Sequence, residues 1–411
     1  MKLFEELKWR GLINDCSSPD LEKMLNEKKL TFYIGTDPTG DTLHIGHYSS
    51  FLIAKRLKDA GHRPILLVGG GTGLIGDPKP NSERPMISKE RLEYNYQKLR
   101  KQVEDLFGFE VVNNYDWLKD LNFIDYLRDY GKYFNINYML AKETVKSRLD
   151  IGITYTEFSY MILQSIDFLH LFKEHDCVLQ VGGQDQWGNI TAGIELIRKT
   201  LAKPAYGFTM PLITKADGSK FGKSEGHAIW LDKKQTSSYE MYQFLLNSDD
   251  SKVIDYLKKL TFLSKEEIEK LTLKLKEQPF KREAQKVLAS EVVRFVHGEQ
   301  ELEKALHITS VFFKGNILDL DEVELQDALK GMPQVDVLDN RNIIDVLVDA
   351  NIASSKREAR EWVKAGSIFV NAVKVTDCEF IVSKNKAILD DLTLLKKGKR
   401  NYFVVKSVDA V

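Results

Sequence analysis

Four short apolar runs without polar alternation constrain the fold of this chain more than any other feature: LTFYIG at 30 to 35, PILLVGG at 64 to 70, FEVVN at 109 to 113 and CVLQVGG at 177 to 183. A strand with one wet face alternates polar and apolar residues, whereas a strand covered on both faces does not. Between the runs, residues 44 to 60 and 89 to 107 read as helices, the first stopped by Gly61. Strand and helix in alternation predict an α/β fold with a Rossmann-like parallel sheet. Ligands then belong at the carboxyl ends of its strands.

From about Ser237 the pattern turns helical, in YEMYQFLL, VIDYLKKL, KEEIEKLTLKL and KREAQKVLASEVVRFV. GMPQVDVLDN at 331 to 340 carries Gly, Pro and acids without a period and reads as a linker. The expected parts are an α/β domain over 1–236, an α-helical domain over 237–330, the linker over 331–340 and a small module over 341–411. The whole chain balances 59 Lys and Arg against 60 Asp and Glu, but 341–411 hold 13 against 9, leaving that module at +4 and the body at −5. A basic module on an acidic body points to a polyanion.

Composition removes several classes. With 43% hydrophobic residues, 26 Gly and 10 Pro, the chain is neither disordered nor collagen-like. No run approaches the roughly 20 apolar residues of a membrane span, and MKLFEELKWRGL has no export or transit pattern. Cys16, Cys177 and Cys378 are too far apart to suggest a disulfide framework. The expectation is a soluble protein of the reducing cytoplasm.

The chemistry-bearing residues begin in TFYIGTDPTGDTLHIGHYSS, 31 to 50. A strand ends at Gly35, a turn with Pro38 and Gly40 follows, and a helix opens near His44, whose free amides and dipole favour phosphate. His44 and His47 share one face of the first turn, with Gly46 between them to let a nucleotide approach. Far downstream, KFGKS at 220 to 224 offers Lys220 and Lys223 in a glycine-containing loop after a strand-like run, suited to the β- and γ-phosphates of ATP. The GxGxxG of Gly71, Gly73 and Gly76 is followed by DPKPN, whose prolines oppose the helix a dinucleotide site needs. It reads instead as a bare wall against a small ligand, ended by Asp77. In FSYMILQSIDF, Tyr160, Gln164 and Asp167 form one polar stripe on an otherwise apolar helix, either wet or lining a pocket.

HIGH and KFGKS resemble the two signatures of class I aminoacyl-tRNA synthetases. With YIGTDPT, GGGTGLIGDP, NNYDW, EFSYMILQSIDF, VGGQDQWGNI and SSKREAREWVKAGSIFVN, the chain resembles the bacterial-type tyrosyl-tRNA synthetases from end to end. The resemblance implies a tyrosine–tRNA ligase that first forms tyrosyl-adenylate from L-tyrosine and ATP, with Mg²⁺ accompanying the nucleotide. It also implies a homodimer, tRNA(Tyr) as partner, and an S4-like RNA-binding module at 341–411. DNA and membranes are not expected partners.

By resemblance, Tyr33 and Asp167 hold the phenol hydroxyl, and Tyr160, Gln164 and Asp77 the ammonium. His44, His47 and Thr39 serve the phosphates, Gly35, Asp37 and Gly46 line the nucleotide site, Ser50 and Asp185 approach the ribose, and Gln186 the reacting carboxylate. Lys220, Lys223 and Arg84 close over pyrophosphate, with Ser224 beside them. Lys356, Arg357, Arg360, Lys397, Lys399 and Arg400 are the expected RNA contacts. The loop DPKPNSERP is about one residue shorter than the family pattern, so its displaced Lys79 is not assigned a role.

The remaining candidates read as structural. His170, His175 and Cys177 lack a fourth metal ligand, His62, His227, His297 and His307 read as surface or capping residues, and Trp117 and Trp187 as core. Two other functions compete: a tryptophanyl-type synthetase, which the pair Tyr33 and Asp167 opposes, and a non-catalytic RNA-binding protein of synthetase origin, which the intact signatures oppose.

Overall fold

The computed structural model describes all residues except 79–85, 225–226, 315, 331, 333, 399–400 and 410–411. Arg84, Lys399 and Arg400 therefore lie outside the described residues, as do the side chains of Lys223 and Ser224.

Contacts divide the chain into two compact units, Met1–Leu231 with Ser248–Ala284, and Asp232–Asn247 with Gln285–Val411. The first is built on five strands, β1 Thr31–Thr36, β2 Arg63–Val68, β3 Glu110–Asn113, β4 Cys177–Gly183 and β5 Tyr206–Met210. They pair in the order β3-β2-β1-β4-β5, all parallel. Every residue of β2 after Arg63 is buried, the mark of a strand covered on both faces. Because chain order runs outward on both sides of β1 and β4, a crevice opens beyond their carboxyl ends. Gly35 and Thr36 finish β1 there, and Gly182 and Gly183 finish β4.

Two helices flank that crevice. Ile45–Asp59 starts at His44 as its cap, and Tyr155–His175 starts at Thr154, whose hydroxyl accepts from the Glu157 amide. The far end of the first is anchored by two buried guanidiniums. Arg10 donates to the Leu263 carbonyl at 2.6 Å, Arg56 donates to the Thr261 carbonyl, and Glu6 bridges to both. His62, expected at the surface, is buried, accepting from the Leu30 amide and lying 3.2 Å from the Leu25 carbonyl.

In the second unit, helices Ser238–Leu246, Glu299–Lys314 and Glu322–Lys330 precede a mixed sheet of β6 Gln334–Leu338, β7 Ile368–Val370, β8 Val373–Val375, β9 Leu392–Lys397 and β10 Asn401–Val408. The segment expected as a linker thus supplies β6, parallel to β10. Its alternation QVDVL buries Val337 to 3% exposure, a pattern hidden in sequence by the Gly and Pro before it. One face of the sheet packs on helices Ile343–Asp349 and Lys356–Lys364. The other shares a core with the preceding helices through Ile308, Val311, Leu325, Leu329, Leu394 and Val404.

Candidate active site

A cavity of about 310 Å³ lies at the carboxyl ends of β1 and β4. It is lined by Tyr33, Gly35, Asp37, Thr39, His47, Ser50, Asp77, Tyr160, Gln164, Asp167, Asp185 and Gln186, so the structure brings these sequence-selected residues together. His44, Gly46 and Lys220 stand outside its lining, the first two in the adjoining helix turn.

The polar stripe faces the cavity. Tyr160 donates to Asp37 Oδ2 at 3.0 Å, Gln164 Oε1 accepts from Asn189 Nδ2 at 3.0 Å, and Asp77 accepts from Gln186 Nε2 at 2.8 Å. Asp167 accepts from Asn114 Nδ2 at 2.9 Å and Trp117 Nε1 at 2.8 Å. Trp117 is therefore a hydrogen-bond donor at the site as well as a packed ring. Asn114, unselected in sequence, also donates to Thr72, which in turn donates to Asp37 at 3.0 Å. One chain of bonds thus runs from Asp167 to Tyr160 beneath the cavity. Burial pushes the Asp167 carboxyl up to about 7, against the lowering effect of its two donors. Beside it the Tyr33 hydroxyl is fully buried and has no hydrogen-bond partner among the described residues, and burial together with Asp167 raises its pKa.

The glycine run faces the protein's own polar groups. A Cβ on Gly69 would stand 2.1 Å from Asp37 Oδ1, and one on Gly70 2.1 Å from Asn113 Oδ1. The run lets these side chains approach the backbone, and the Gly71 amide donates to Asn114 Oδ1 at 2.7 Å. The expected bare wall against a ligand is thus a bed for Asp37 and Asn114.

At the helix opening, the free amides expected from sequence are already used. Ile45 N–H donates to Ile229 O, Gly46 N–H to His44 Nδ1 at 3.0 Å, and His47 N–H to His44 O. His47 Nδ1 in turn accepts from the His44 amide at 3.2 Å. Both rings therefore accept at Nδ1 and carry their proton on Nε2, as neutral donors. They stack at 3.8 Å, and burial with the neighbouring His44 drives the His47 pKa down to about 3. The helix opening therefore presents imidazole N–H donors in place of free helix amides.

The second signature lies against this turn. Gly222, at φ +102°, sits so close to Ile45 that a Cβ there would be 2.7 Å from Ile45 Cγ2. The Ile229 amide donates to Gly222 O, and residues 229–231 are tied to the HIGH segment by the Ile45 amide donating to Ile229 O and the Leu231 amide donating to Leu43 O. Lys223–Ser224 pairs antiparallel with His227–Ala228.

Behind the stripe lies a buried ion pair. Arg148 donates through both terminal nitrogens to Glu157, at 2.9 and 3.0 Å, with the two side chains only 4% and 1% exposed. Arg148 also donates to the Gly152 carbonyl, so the 145–152 turn closes on the first turn of the helix bearing Tyr160.

Two family descriptions match: "tRNA synthetases class I (W and Y)" over residues 25–314 and "Tyrosine--tRNA ligase SYY-like C-terminal domain" over 324–405. The chain is 51% identical to the tyrosine–tRNA ligase of Limosilactobacillus fermentum, over 99% of each chain. To that of Geobacillus stearothermophilus it is 49% identical, over 99% of this chain and all of the other. Among solved structures, a C-terminally truncated mitochondrial tyrosyl-tRNA synthetase of Aspergillus nidulans is similar with TM-score 0.69 at 31% identity, covering 76% of this chain and 94% of that one. With the cavity, both signatures and the terminal module accounted for, the chain belongs to the tyrosine–tRNA ligases of the class I aminoacyl-tRNA synthetase family.

Proposed function

We propose that the protein couples L-tyrosine to tRNA(Tyr) in two steps. The tyrosine carboxylate attacks the α-phosphorus of ATP, the bond to the β-phosphate oxygen breaks, and pyrophosphate leaves. A hydroxyl of the tRNA's terminal ribose then attacks the carbonyl of tyrosyl-adenylate, the bond from that carbonyl to the phosphate oxygen breaks, and AMP leaves with the hydroxyl proton lost to solvent. The nucleophile is already ionised, so no general base is required; the site supplies alignment and charge stabilisation. His44 and His47 serve the phosphates as neutral N–H donors, with Thr39 beside them. Lys220, Lys223 and Arg84 act on the departing pyrophosphate. Asp185 and Ser50 take the ribose, and Gln186 the reacting carboxylate. Mg²⁺ enters on the nucleotide phosphates, as part of the substrate.

The observation that carries tyrosine as substrate is the orphan Tyr33 hydroxyl beside Asp167. A phenol hydroxyl can accept from the one and donate to the other. An indole N–H offers Tyr33 no acceptor, which favours tyrosine over tryptophan. Phenylalanine would leave the Tyr33 hydroxyl without a partner and Asp167 without the phenol donor, and this family is itself the standard case, rejecting it by about 10⁵ without editing. The ammonium of the substrate is read as meeting the Tyr160 hydroxyl oxygen, the Asp77 carboxylate and the Gln164 carboxamide oxygen, a reading supported by their shared place in the cavity lining.

The tRNA reading rests on the basic module. Lys356, Arg357 and Arg360 are exposed on helix Lys356–Lys364, and the Lys397 ammonium lies 3.1 Å from the centre of the Trp362 ring. A homodimer is favoured by the apolar side chains exposed between 123 and 155, among them Phe123, Ile124, Ile136, Ile151 and Tyr155. No helix among the described residues is long and apolar enough to cross a membrane, and the proposed compartment is the cytoplasm. The deciding experiment is amino-acid-dependent exchange of labelled pyrophosphate into ATP without tRNA. Exchange with tyrosine alone is the expected result; exchange with tryptophan, or none from a folded sample, would overturn the proposal.

A further inference from the structure

We propose that the face of the C-terminal sheet bearing Phe369, Lys396 and Tyr402 is a stacking platform for one unpaired nucleobase of the bound tRNA. The proposal rests on the tRNA reading above and gives the module a second contact, separate from the exposed helix Lys356–Lys364. Phe369 on β7 is the direct cross-strand partner of Lys396 on β9, and Lys396 is the partner of Tyr402 on β10. Direct partners in an antiparallel sheet share a face, so aromatic, cation and aromatic stand in one row. The Lys396 ammonium lies 5.7 Å from the Phe369 ring centre and 5.1 Å from that of Tyr402, and all three side chains are half-buried.

The row borders open space. A cavity of about 260 Å³ is lined by these three residues with Phe312, Asn316 and Ala372. Phe312 closes one end, edge-on to Tyr402 at 4.9 Å. Ala372 occupies the hairpin turn at φ +68°, a conformation that disfavours a side chain, and presents only a methyl to the cavity. Asn316 spends its carboxamide oxygen on the Leu318 amide, which leaves its N–H₂ group to meet a base edge.

Flat rings, an adjacent cation and a small polar rim are what single-stranded nucleic acid uses. A base stacks on the ring and the flanking phosphate pairs with the lysine. A purely structural lysine–aromatic contact would fill its own space instead of edging a cavity. The +4 charge of 341–411 supplies the attraction that brings RNA to this face.

The test measures binding of a tRNA(Tyr) transcript to the full-length protein by filter retention over a series of salt concentrations. Phe369→Leu is expected to weaken binding about ten-fold while leaving the slope of log affinity against log salt unchanged. Lys396→Gln should weaken binding and reduce that slope by about one. Phe369→Tyr should restore wild-type affinity, and tyrosine-dependent pyrophosphate exchange should be equal in all three. Wild-type affinity in Phe369→Leu, with weakened binding in Arg360→Gln, would overturn the platform and leave the tRNA reading standing. Equal weakening by Leu and Tyr would make the ring a packing element and also overturn it. Absence of binding by the wild-type protein would overturn both readings.

Discussion

The indole of Trp117 lies flat on the imidazole of His170, 4.2 Å between ring centres and 15° between planes. That stack fixes the edge from which the indole N–H reaches Asp167. Trp117→Phe keeps the ring and removes the donor. A hydrogen bond to a charged group contributes about 1.5 to 3 kcal/mol, so the KM for tyrosine should rise at least ten-fold. The KM for ATP should stay constant, as steady-state exchange kinetics with each substrate varied will show.

Asp167 links substrate choice to pH. In the folded protein its carboxyl stays protonated up to about 7, whereas unfolded it ionises in the ordinary carboxylate range. Between those points the folded state binds more protons, so its contribution to stability falls as pH rises through the window. Tyrosine affinity should move the other way, because the ionised carboxylate is the better acceptor for the phenol. Asp167→Asn should flatten both profiles and erode discrimination against phenylalanine. Thermal melts and tyrosine titrations at pH 5.5 and 8 check the two signs.

His47 stays neutral over the whole working range, since its pKa is driven down to about 3. The adenylation rate should therefore show no imidazole titration attributable to it. His47→Ala should slow adenylate formation by about 10² to 10³, the cost of one donor aimed at transition-state charge. Gln places an amide N–H near the Nε2 position and should lose less than Asn. Single-turnover rates for the three variants rank them.

Glu157→Gln strands the buried Arg148 cation, and breaking such a pair costs about 3 to 5 kcal/mol. Because Glu157 lies one turn before Tyr160 on the same helix, the loss should appear in the melting temperature and in tyrosine affinity together. Differential scanning calorimetry with and without tyrosine separates the two effects.

Removing 334–411 takes Leu394 and Val404 out of a core they share with Ile308, Val311 and Leu329. The truncated protein should retain tyrosine-dependent pyrophosphate exchange and lose aminoacylation. Its remaining second-unit helices should also exchange amide hydrogens faster, a change that mass spectrometry localises.

The parallel sheet was legible because strands covered on both sides appear as uninterrupted apolar runs, and the helix Ile45–Asp59 because it lies between two such runs and is stopped by Gly61. Tyr160, Gln164 and Asp167 were visible as a polar stripe, but its direction was not. Asn114 and Trp117 escaped because their role is set by Asp167, distant in sequence and brought near only by the crossover between β3 and β4. The occupied amides at residues 45 to 47 were equally hidden, since their acceptors include Ile229 and the His44 ring itself. The β6 strand was masked by its flanking Gly and Pro, and its partner, β10, lies at the far end of the chain.

The Leu231 amide bonded to Leu43 O and the Ile45 amide bonded to Ile229 O make the HIGH segment and residues 229–231, just after the lysine loop, adjacent rungs of one short ladder. A ladder tolerates no slip: one residue added between Ile229 and Leu231 would turn every following side chain to the opposite face. The excursion between the signatures is held where it supplies strands in register and cavity-lining residues, but its surface loops are under no such restraint. Insertions and deletions among descendants of this chain should therefore accumulate in those loops and be absent from 229–231. The spacing from Ile229 to Leu231 is a ruler, and the loops between His47 and Lys220 are where length is free to drift.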